Sequence, residues 1–376
     1  MKVILAFDSF KESISARQAV EAAARGVRAV LPSAEIIGLP LADGGEGTSD
    51  ALCGFMGASL HTCTVHDARM RPVEASYGVS SDGSTAVMDM ASAAGLPLLE
   101  EHLRNPMLTT TFGVGEMMLD AVGRGCRKIL LGIGGSATND GGIGMLAALG
   151  VRFTDADGRE LEPVGRSLQK IENVDWSGLK IKPEIEVVCD VDNPLYGHNG
   201  AAYIYARQKG ASEADVVFLD DGLRHFESKC SVSGETSGSG AAGGLGYGLL
   251  LLGAKLRRGV DVVLDYAMLD KHLQDADVLI TGEGKTDRQT LCGKLPWGLL
   301  QHAKRAGVPV VVLAGMVEDR DELLAAGFAD VRSINPPLNT LQEMTEAMKT
   351  ENAMRNLCHA VNIQVSQVYK LRNLNY

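Results

Sequence analysis

The hydrophobic positions of this chain fall into short aliphatic runs that end in loops of glycine and acid, with helical spacing between them. Val3 to Ala6 is the first run, and it closes on Asp8, Ser9, Phe10 and Lys11. Ala19, Ala23, Val27 and Val30 then recur at helical spacing, which predicts an amphipathic helix capped by Ser13 or Ser15 and stopped by Pro32. Ile36 to Leu39 predicts a second strand, entering Asp43-Gly44-Gly45-Glu46-Gly47-Thr48, with helical pattern again from Ser49. After Val262 the alternation returns. Asp277 to Ile280 enters Gly282-Glu283-Gly284-Lys285-Thr286-Asp287, Val308 to Leu313 enters Ala314-Gly315-Met316, and Val331 to Ile334 enters Asn335-Pro336-Pro337. Helices are predicted over 296–306 and 320–326, with a closing helix over 344–368 on the same domain. Five parallel strands in such company predict a doubly wound, flavodoxin/Rossmann-like α/β sheet.

The middle of the chain has another rhythm. Thr62 to Val65, Val73 to Val79 and Thr85 to Met90 alternate with period two around turn signals such as Asp82-Gly83, which suits antiparallel strands. A helical stretch over 115–122 leads to Ile129–Gly144, written I-L-L-G-I-G-G-S-A-T-N-D-G-G-I-G. It reads as a buried strand, a turn of Gly134, Gly135, Ser136, Ala137 and Thr138, then Asn139, Asp140 and a helix carrying Ile143, Met145, Leu146 and Leu149. Amides at such a turn and helix start attract anions, so the stretch suits a phosphate; taken alone it reads equally as a tight strand-to-helix connection with nothing bound. Ile185 to Val188 is a further strand ending in Cys189-Asp190-Val191-Asp192-Asn193-Pro194. Gly238 to Gly248 starts a glycine-rich helix expected to reach about Lys255, with Lys255, Arg257 and Arg258 as its cationic end. Residues 66–255 are therefore expected to form a second α/β domain inserted into a first one made of 1–65 and 256–376.

Composition sharpens this picture. A length of 376 residues exceeds what one core usually supports, so two domains are expected. The 44 glycines, about 12% of the chain against a usual share of about 7%, cluster in loops after apolar runs, as close backbone approach to a ligand requires. A net charge of −11 speaks against nucleic-acid or anionic-membrane partners, so an anionic substrate must be held by local cations, helix ends or a metal. The seven cysteines form no C-x-x-C pair, which indicates neither a disulfide framework nor a structural zinc site, and the eight histidines show no metal spacing. No leader-like or membrane-length apolar run is present, and a cytoplasmic location is expected.

In an open parallel sheet, ligands bind beyond the carboxyl ends of the strands. The loops there carry Asp8, Lys11, Asp43, Glu46, Glu283, Asp287 and Gly315. The second domain's loops at 134–140 and 190–193 are expected to face them across a cleft. Clustered carboxylates raise one another's pKa unless a cation intervenes, and Mg2+ is the cation that pairs carboxylates with phosphate oxygens. With Lys11, Lys285 or Lys294 as point charges and one carboxylate as proton acceptor, the parts of phosphoryl transfer are present. Taken singly, Asp43 also reads as a helix cap and Asp8 as a turn residue. A Walker A reading of Gly284-Lys285-Thr286 fails because Leu279 stands where its first glycine belongs, and no dinucleotide fingerprint follows the first strand.

Asp8-Ser9-Phe10-Lys11-Glu12-Ser13, Ala42 to Thr48, Gly132 to Gly142, Cys189 to Leu195, Gln208-Lys209-Gly210-Ala211 and Gly282-Glu283-Gly284 with Asp287 and Gln289 together resemble the bacterial glycerate kinases, in order and across essentially the whole chain. The resemblance implies two α/β domains, one inserted in the other, and phosphorylation of D-glycerate by ATP with Mg2+; the most similar branch transfers to the 2-hydroxyl. Asp43, Asp190 and Asp287 are then the candidates for metal binding or general base, and Lys11 and Lys294 for charge on phosphate or carboxylate. Asp8, Ser9, Gly44, Gly45, Glu46, Gly134, Gly135, Ser136, Ala137, Thr138, Asn139, Asp140, Lys209, Gly282 and Glu283 complete the expected binding set. The sequence departs from the family's usual proline at Phe7, glycine-proline at Ala206-Arg207, arginine at Lys285 and serine at Arg288. Competing readings are a kinase forming 3-phosphoglycerate or using another hydroxy acid, a non-catalytic organic acid or nucleotide sensor, and a nicotinamide-dependent dehydrogenase, which the missing fingerprint weakens.

Overall fold

Val3 to Phe7 are fully buried, as a strand covered by helices on both faces must be. In the computed structural model, which describes residues 1–45, 47–181, 183–337 and 340–374, this strand, Lys2–Phe7, sits inside a five-stranded parallel sheet. Glu35–Pro40 flanks it on one side and Val278–Gly282 on the other, and Val310–Ala314 and Asp330–Ser333 extend the sheet beyond. Numbered along the chain, these strands lie in the order 2-1-3-4-5, the flavodoxin-type doubly wound arrangement. Phe7 is level with both Gly282 and Pro40, so the loops that begin at Asp8, Leu41 and Glu283 open from one edge of the sheet.

One face is covered by the helices Ala16–Val30 and Thr350–Leu374. Their Ala19, Ala23, Val27, Leu357, Val361 and Val365 share a core with Val3, Leu5, Val278 and Ile280. The two helices meet closely: a Cβ on Gly26 would lie 2.3 Å from the Cys358 carbonyl oxygen. The helix Leu295–Ala306 packs on strands of the same sheet and buries Leu295, Leu299, Leu300 and Ala303. Of the two cap candidates, Ser15 forms the capping box with Gln18, while the Ser13 hydroxyl donates to the Met348 carbonyl at 2.7 Å. The closing helix is two helices, Leu341–Met348 and Thr350–Leu374, broken at Lys349, whose ψ of 134° is extended. Thr350 Oγ1 donates to the Ser13 carbonyl at 2.9 Å, so the break is pinned to the loop after the first strand.

These elements form one compact unit, Met1–Ala51 with Gly259–Tyr376, and Leu52–Arg258 forms another. The second unit holds a six-stranded sheet in the order Lys255–Arg257, Glu184–Val188, Lys128–Gly132, Thr85–Asp89, Pro72–Val79, Ser59–His66. The last three pair antiparallel, as their alternation predicts, and Thr85–Asp89 pairs parallel with Lys128–Gly132 on its other edge. Because Ser59–His66 belongs to this sheet, the units part between Ala51 and Leu52, earlier than residue 65. One expectation is corrected. The glycine-rich segment Ala241–Leu251 is kinked at Ala242, Gly243 and Gly244, which are left-handed, and stops before Gly253, which turns the chain at φ 82°; Lys255–Arg257 is a strand. Arg257 there donates to Glu186 at 2.6 Å, so it is part of an ion pair within the sheet and not a helix end. Among the described residues no helix is long and apolar enough to cross a membrane.

Candidate active site

The order of the five-stranded sheet reverses between Lys2–Phe7 and Val278–Gly282, and in doubly wound folds ligands bind at such a switch point. The two strand ends are tied together there, because the Asp8 amide donates to the Gly282 carbonyl at 3.1 Å. Gly282 leaves no room for a side chain: a Cβ would lie 1.9 Å from the Leu313 carbonyl oxygen, so any other residue would push neighbouring strands apart. Asp8 Oδ1 accepts from the Ser9 amide at 2.6 Å. Glu283 accepts from Thr290 Oγ1 at 2.8 Å and lies 3.9 Å from Lys294 Nζ. Asp43 accepts from the Gly45 amide at 3.2 Å, directly after Gly44, whose φ of 104° forms the turn. Glu46 lies outside the described residues.

Asp8, Ser9, Lys11, Asp43, Glu283 and Lys294 line one cavity of about 460 Å³ within this unit. Burial pushes the Asp8 carboxyl up to about 7, and the nearby Asp43 and Glu283 add to the rise while the Ser9 amide opposes it. Burial also raises Glu283, against the hydrogen bond from Thr290 and the charge of Lys294. Two carboxyl groups raised by burial, Asp8 and Glu283, beside a third acid make a site suited to a cation or to proton transfer. Among the described residues no group of three or more His, Cys, Asp or Glu is drawn together tightly enough to hold a metal by itself. Magnesium does not require one, since it is usually bound by one or two carboxylates with phosphate oxygens and water. The hard oxygen donors of this cavity therefore fit it.

Asp287 is engaged elsewhere. Its carboxylate caps the turn that follows, accepting from the Gln289 amide at 2.9 Å, and lies 3.4 Å from Lys285 Nζ. Lys285 also pairs with Glu318 at 2.9 Å, and Arg288 pairs with Asp319 at 3.3 Å, so the cation beside Asp287 turns to another acid.

In the second unit the glycine-rich turn differs from expectation at its C-terminal end. The helix after it, Ile143–Ala148, is short, and an internal carboxylate occupies its start: Asp140 accepts from the amides of Gly142 at 3.0 Å and Gly144 at 3.2 Å. It also accepts from the Thr111 amide at 2.7 Å and the Thr111 hydroxyl at 2.8 Å. Burial pushes Asp140 up, and these donors pull it back toward the carboxylate. Asp140, Asn139 and Thr138 are fully buried, and Ala137 nearly so, which leaves Gly134 and Gly135 as the exposed part of the turn. Lys209, also buried, braces the turn: its Nζ donates to Ser136 Oγ and to the Thr138 carbonyl, both at 2.7 Å. Burial lowers Lys209 to about 7, with Asp140 opposing. The lysine is presented without the family's glycine-proline, because Ala206 ends a helix and Arg207 is clamped by Glu213 at 2.6 and 2.7 Å. Asp190 is exposed, just beyond the strand Glu184–Val188.

Sequence reasoning missed Thr290, whose hydroxyl orients Glu283, and it missed an apolar wall of the cavity formed by Met344, Ala347, Met348 and Ala353. The only sequence signal for the first is the spacing Asp287 to Thr290, a capping box. For the second, helical periodicity identifies the helices but not what they cover.

Comparison with known proteins gives a consistent result. The model of the Glycerate kinase family matches residues 3–366. The "Glycerate kinase" of Bacillus cereus is 43% identical over 354 residues, covering 91% of this chain and 93% of its own. The "Glycerate 2-kinase" of Escherichia coli K12 is 40% identical over 385 residues, covering 99% and 100%. A crystal structure from Salmonella typhimurium LT2, provisionally assigned as glycerate kinase 2, superposes with a TM-score of 0.88 at 38% identity over 99% of both chains. With the fold, the order of its motifs and these relatives in agreement, the chain belongs to the glycerate kinase family.

Proposed function

We propose that the chain transfers the γ-phosphoryl group of ATP to the 2-hydroxyl of D-glycerate, forming 2-phosphoglycerate. The observation that carries this reading is the cavity at the switch point, which Asp8, Asp43, Glu283, Lys11 and Lys294 line together. Family membership supports ATP as donor, and a relative named for the 2-kinase reaction, similar over 99% of this chain, supports the 2-position. Lys11 and Lys294 provide point charges for phosphate or for the acid's carboxylate. Asp8 is the proton acceptor for the attacking hydroxyl, since a carboxyl held near neutrality accepts and releases a proton at working pH. Asp43 is the first choice to hold Mg2+, which when bound supplies positive charge to phosphate oxygens. Asp287 is a weaker choice because its cap bond and Lys285 already engage it, and Asp190 is a candidate only on its own unit, where it is exposed at a strand end. Ser136 and the amides of Gly134 and Gly135 are offered to phosphate, with Lys209 acting through Ser136. The test is turnover of D-glycerate with ATP and MgCl2, with the product read by phosphorus NMR. A 2-phosphoglycerate resonance is expected; 3-phosphoglycerate would overturn the regiochemistry, and no turnover on glycerate would overturn the reading.

A further inference from the structure

Two kinds of residue line the cavity at the switch point: charged ones from the loops, Asp8, Lys11, Asp43, Glu283 and Lys294, and apolar ones, Met344, Ala347, Met348 and Ala353, at the end formed by the C-terminal helices Leu341–Met348 and Thr350–Leu374. A three-carbon acid with four oxygens has no use for the apolar end, and about 460 Å³ falls in the range of pockets that enclose much larger ligands. Two methionines on the wall, Met316 and Met348, keep 38% and 43% of their surface in solvent. A polarisable thioether packs well on an aromatic ring.

We infer that the apolar end is the subsite for the nucleobase of the phosphoryl donor, with the planar base against Met316, Met344 and Met348 and the phosphates toward Lys11 and Lys294. The inference rests on the proposed ATP-dependent reaction and adds where the donor's base sits. The lining offers what a nucleoside triphosphate needs, charged groups for its phosphates and apolar groups for its aromatic ring. The apolar wall is tied to the loop after the first strand, because Ser13 Oγ donates to the Met348 carbonyl and Thr350 Oγ1 donates to the Ser13 carbonyl. Asn335, next to Ile334 on the wall, is fixed as well: it donates to the Gly315 carbonyl at 2.9 Å and accepts from Asn356 at 3.0 Å. The subsite is therefore preformed, which lowers the ordering cost of binding a rigid ring.

The test compares the wild-type chain with a Met316→Ala, Met348→Ala double variant by titration calorimetry, using ADP and inorganic tripolyphosphate as probes. Both side chains are partly exposed, so truncation leaves the core intact. Affinity for ADP should fall about tenfold, while affinity for tripolyphosphate, which has no base, should stay within about twofold. Unchanged ADP affinity, or a loss shared equally by both probes, would overturn the subsite. So would a variant that raises KM for glycerate and leaves KM for ATP alone, since the apolar end would then serve the acid. Failure of the wild-type chain to phosphorylate glycerate would overturn the reaction and not the subsite, which the ADP titration tests on its own.

Discussion

Asp8→Asn should stabilise the protein and inactivate it, and the stabilisation should grow with pH. Burial beside Asp43 and Glu283 moves the Asp8 carboxyl from an ordinary 3.8 to about 7. The folded-state pKa is raised, so the fold resists the ionised form: the penalty is absent below the unfolded value, builds as pH rises between the two, and is complete above the folded one. Displacement of that size corresponds to about 4 kcal/mol. Asparagine keeps the oxygen that accepts from the Ser9 amide and never ionises, so the variant escapes the penalty. Melting temperatures of both proteins followed from pH 5 to pH 8, without nucleotide, should diverge toward the alkaline end, by on the order of 10 °C at pH 8 and by less than half of that at pH 5. Mg2+ added without nucleotide should narrow the gap, because positive charge in the cavity favours the ionised carboxyl of the wild type. A gap that does not vary with pH, or a variant less stable than wild type at pH 8, would show that Asp8 is not held near neutrality. Such a stability gain from removing an acid is what a site kept for chemistry at the expense of the fold should display.

Other substitutions separate binding from support. Lys11→Met should lower kcat/KM by about 10²–10³-fold with an unchanged melting temperature, since Lys11 is exposed on the cavity wall; retained activity would remove it from the phosphate site. Asp140→Asn turns an amide donor toward groups that already donate, Thr111, Gly142 and Gly144, and should cost about 2–4 kcal/mol in denaturant unfolding. If Asp140 met a ligand instead, stability would hold and KM for ATP alone would change. Gly26→Ala places a methyl group 2.3 Å from the Cys358 carbonyl and should destabilise the first unit by about 1–3 kcal/mol in a thermal melt; no change would mean the helix pair has slack.

The parts of the fold that could be read from sequence are those whose signal is local. A parallel strand buried on both faces needs an unbroken aliphatic run, so Val3–Phe7, Val278–Gly282 and Val310–Ala314 stand out, and Asp8 and Glu283 follow because each begins the loop at such a strand's end. What could not be read was settled by residues far away. Ser13 and Ser15 are equivalent caps on local grounds; Ser13 is removed from contention by the Met348 carbonyl, 335 residues along the chain. Likewise, an acid after a glycine-rich turn can face a ligand or fold back onto the helix start, and Thr111, 29 residues earlier, makes the second choice favourable for Asp140 by adding an amide and a hydroxyl.

The same reasoning explains why the cavity needs both ends of the chain. The loop after the first strand supplies Asp8 and Lys11, but its turn is held by Phe10 and Ile14 pairing with each other and by Ser13, which donates to the Met348 carbonyl and accepts from Thr350 Oγ1 in the C-terminal helices. Those helices in turn are kept on the sheet by Leu357, Val361 and Val365 against Ala19, Ala23 and Val27. Packing on one face of the sheet is thus coupled to the shape of the pocket at its edge. Damage to the helix pair, as in Gly26→Ala, should therefore raise KM for ATP even though Gly26 is absent from the cavity wall. A variant with a lowered melting temperature but an unaltered KM for ATP would break that link, and would place the apolar wall under the control of the loops alone.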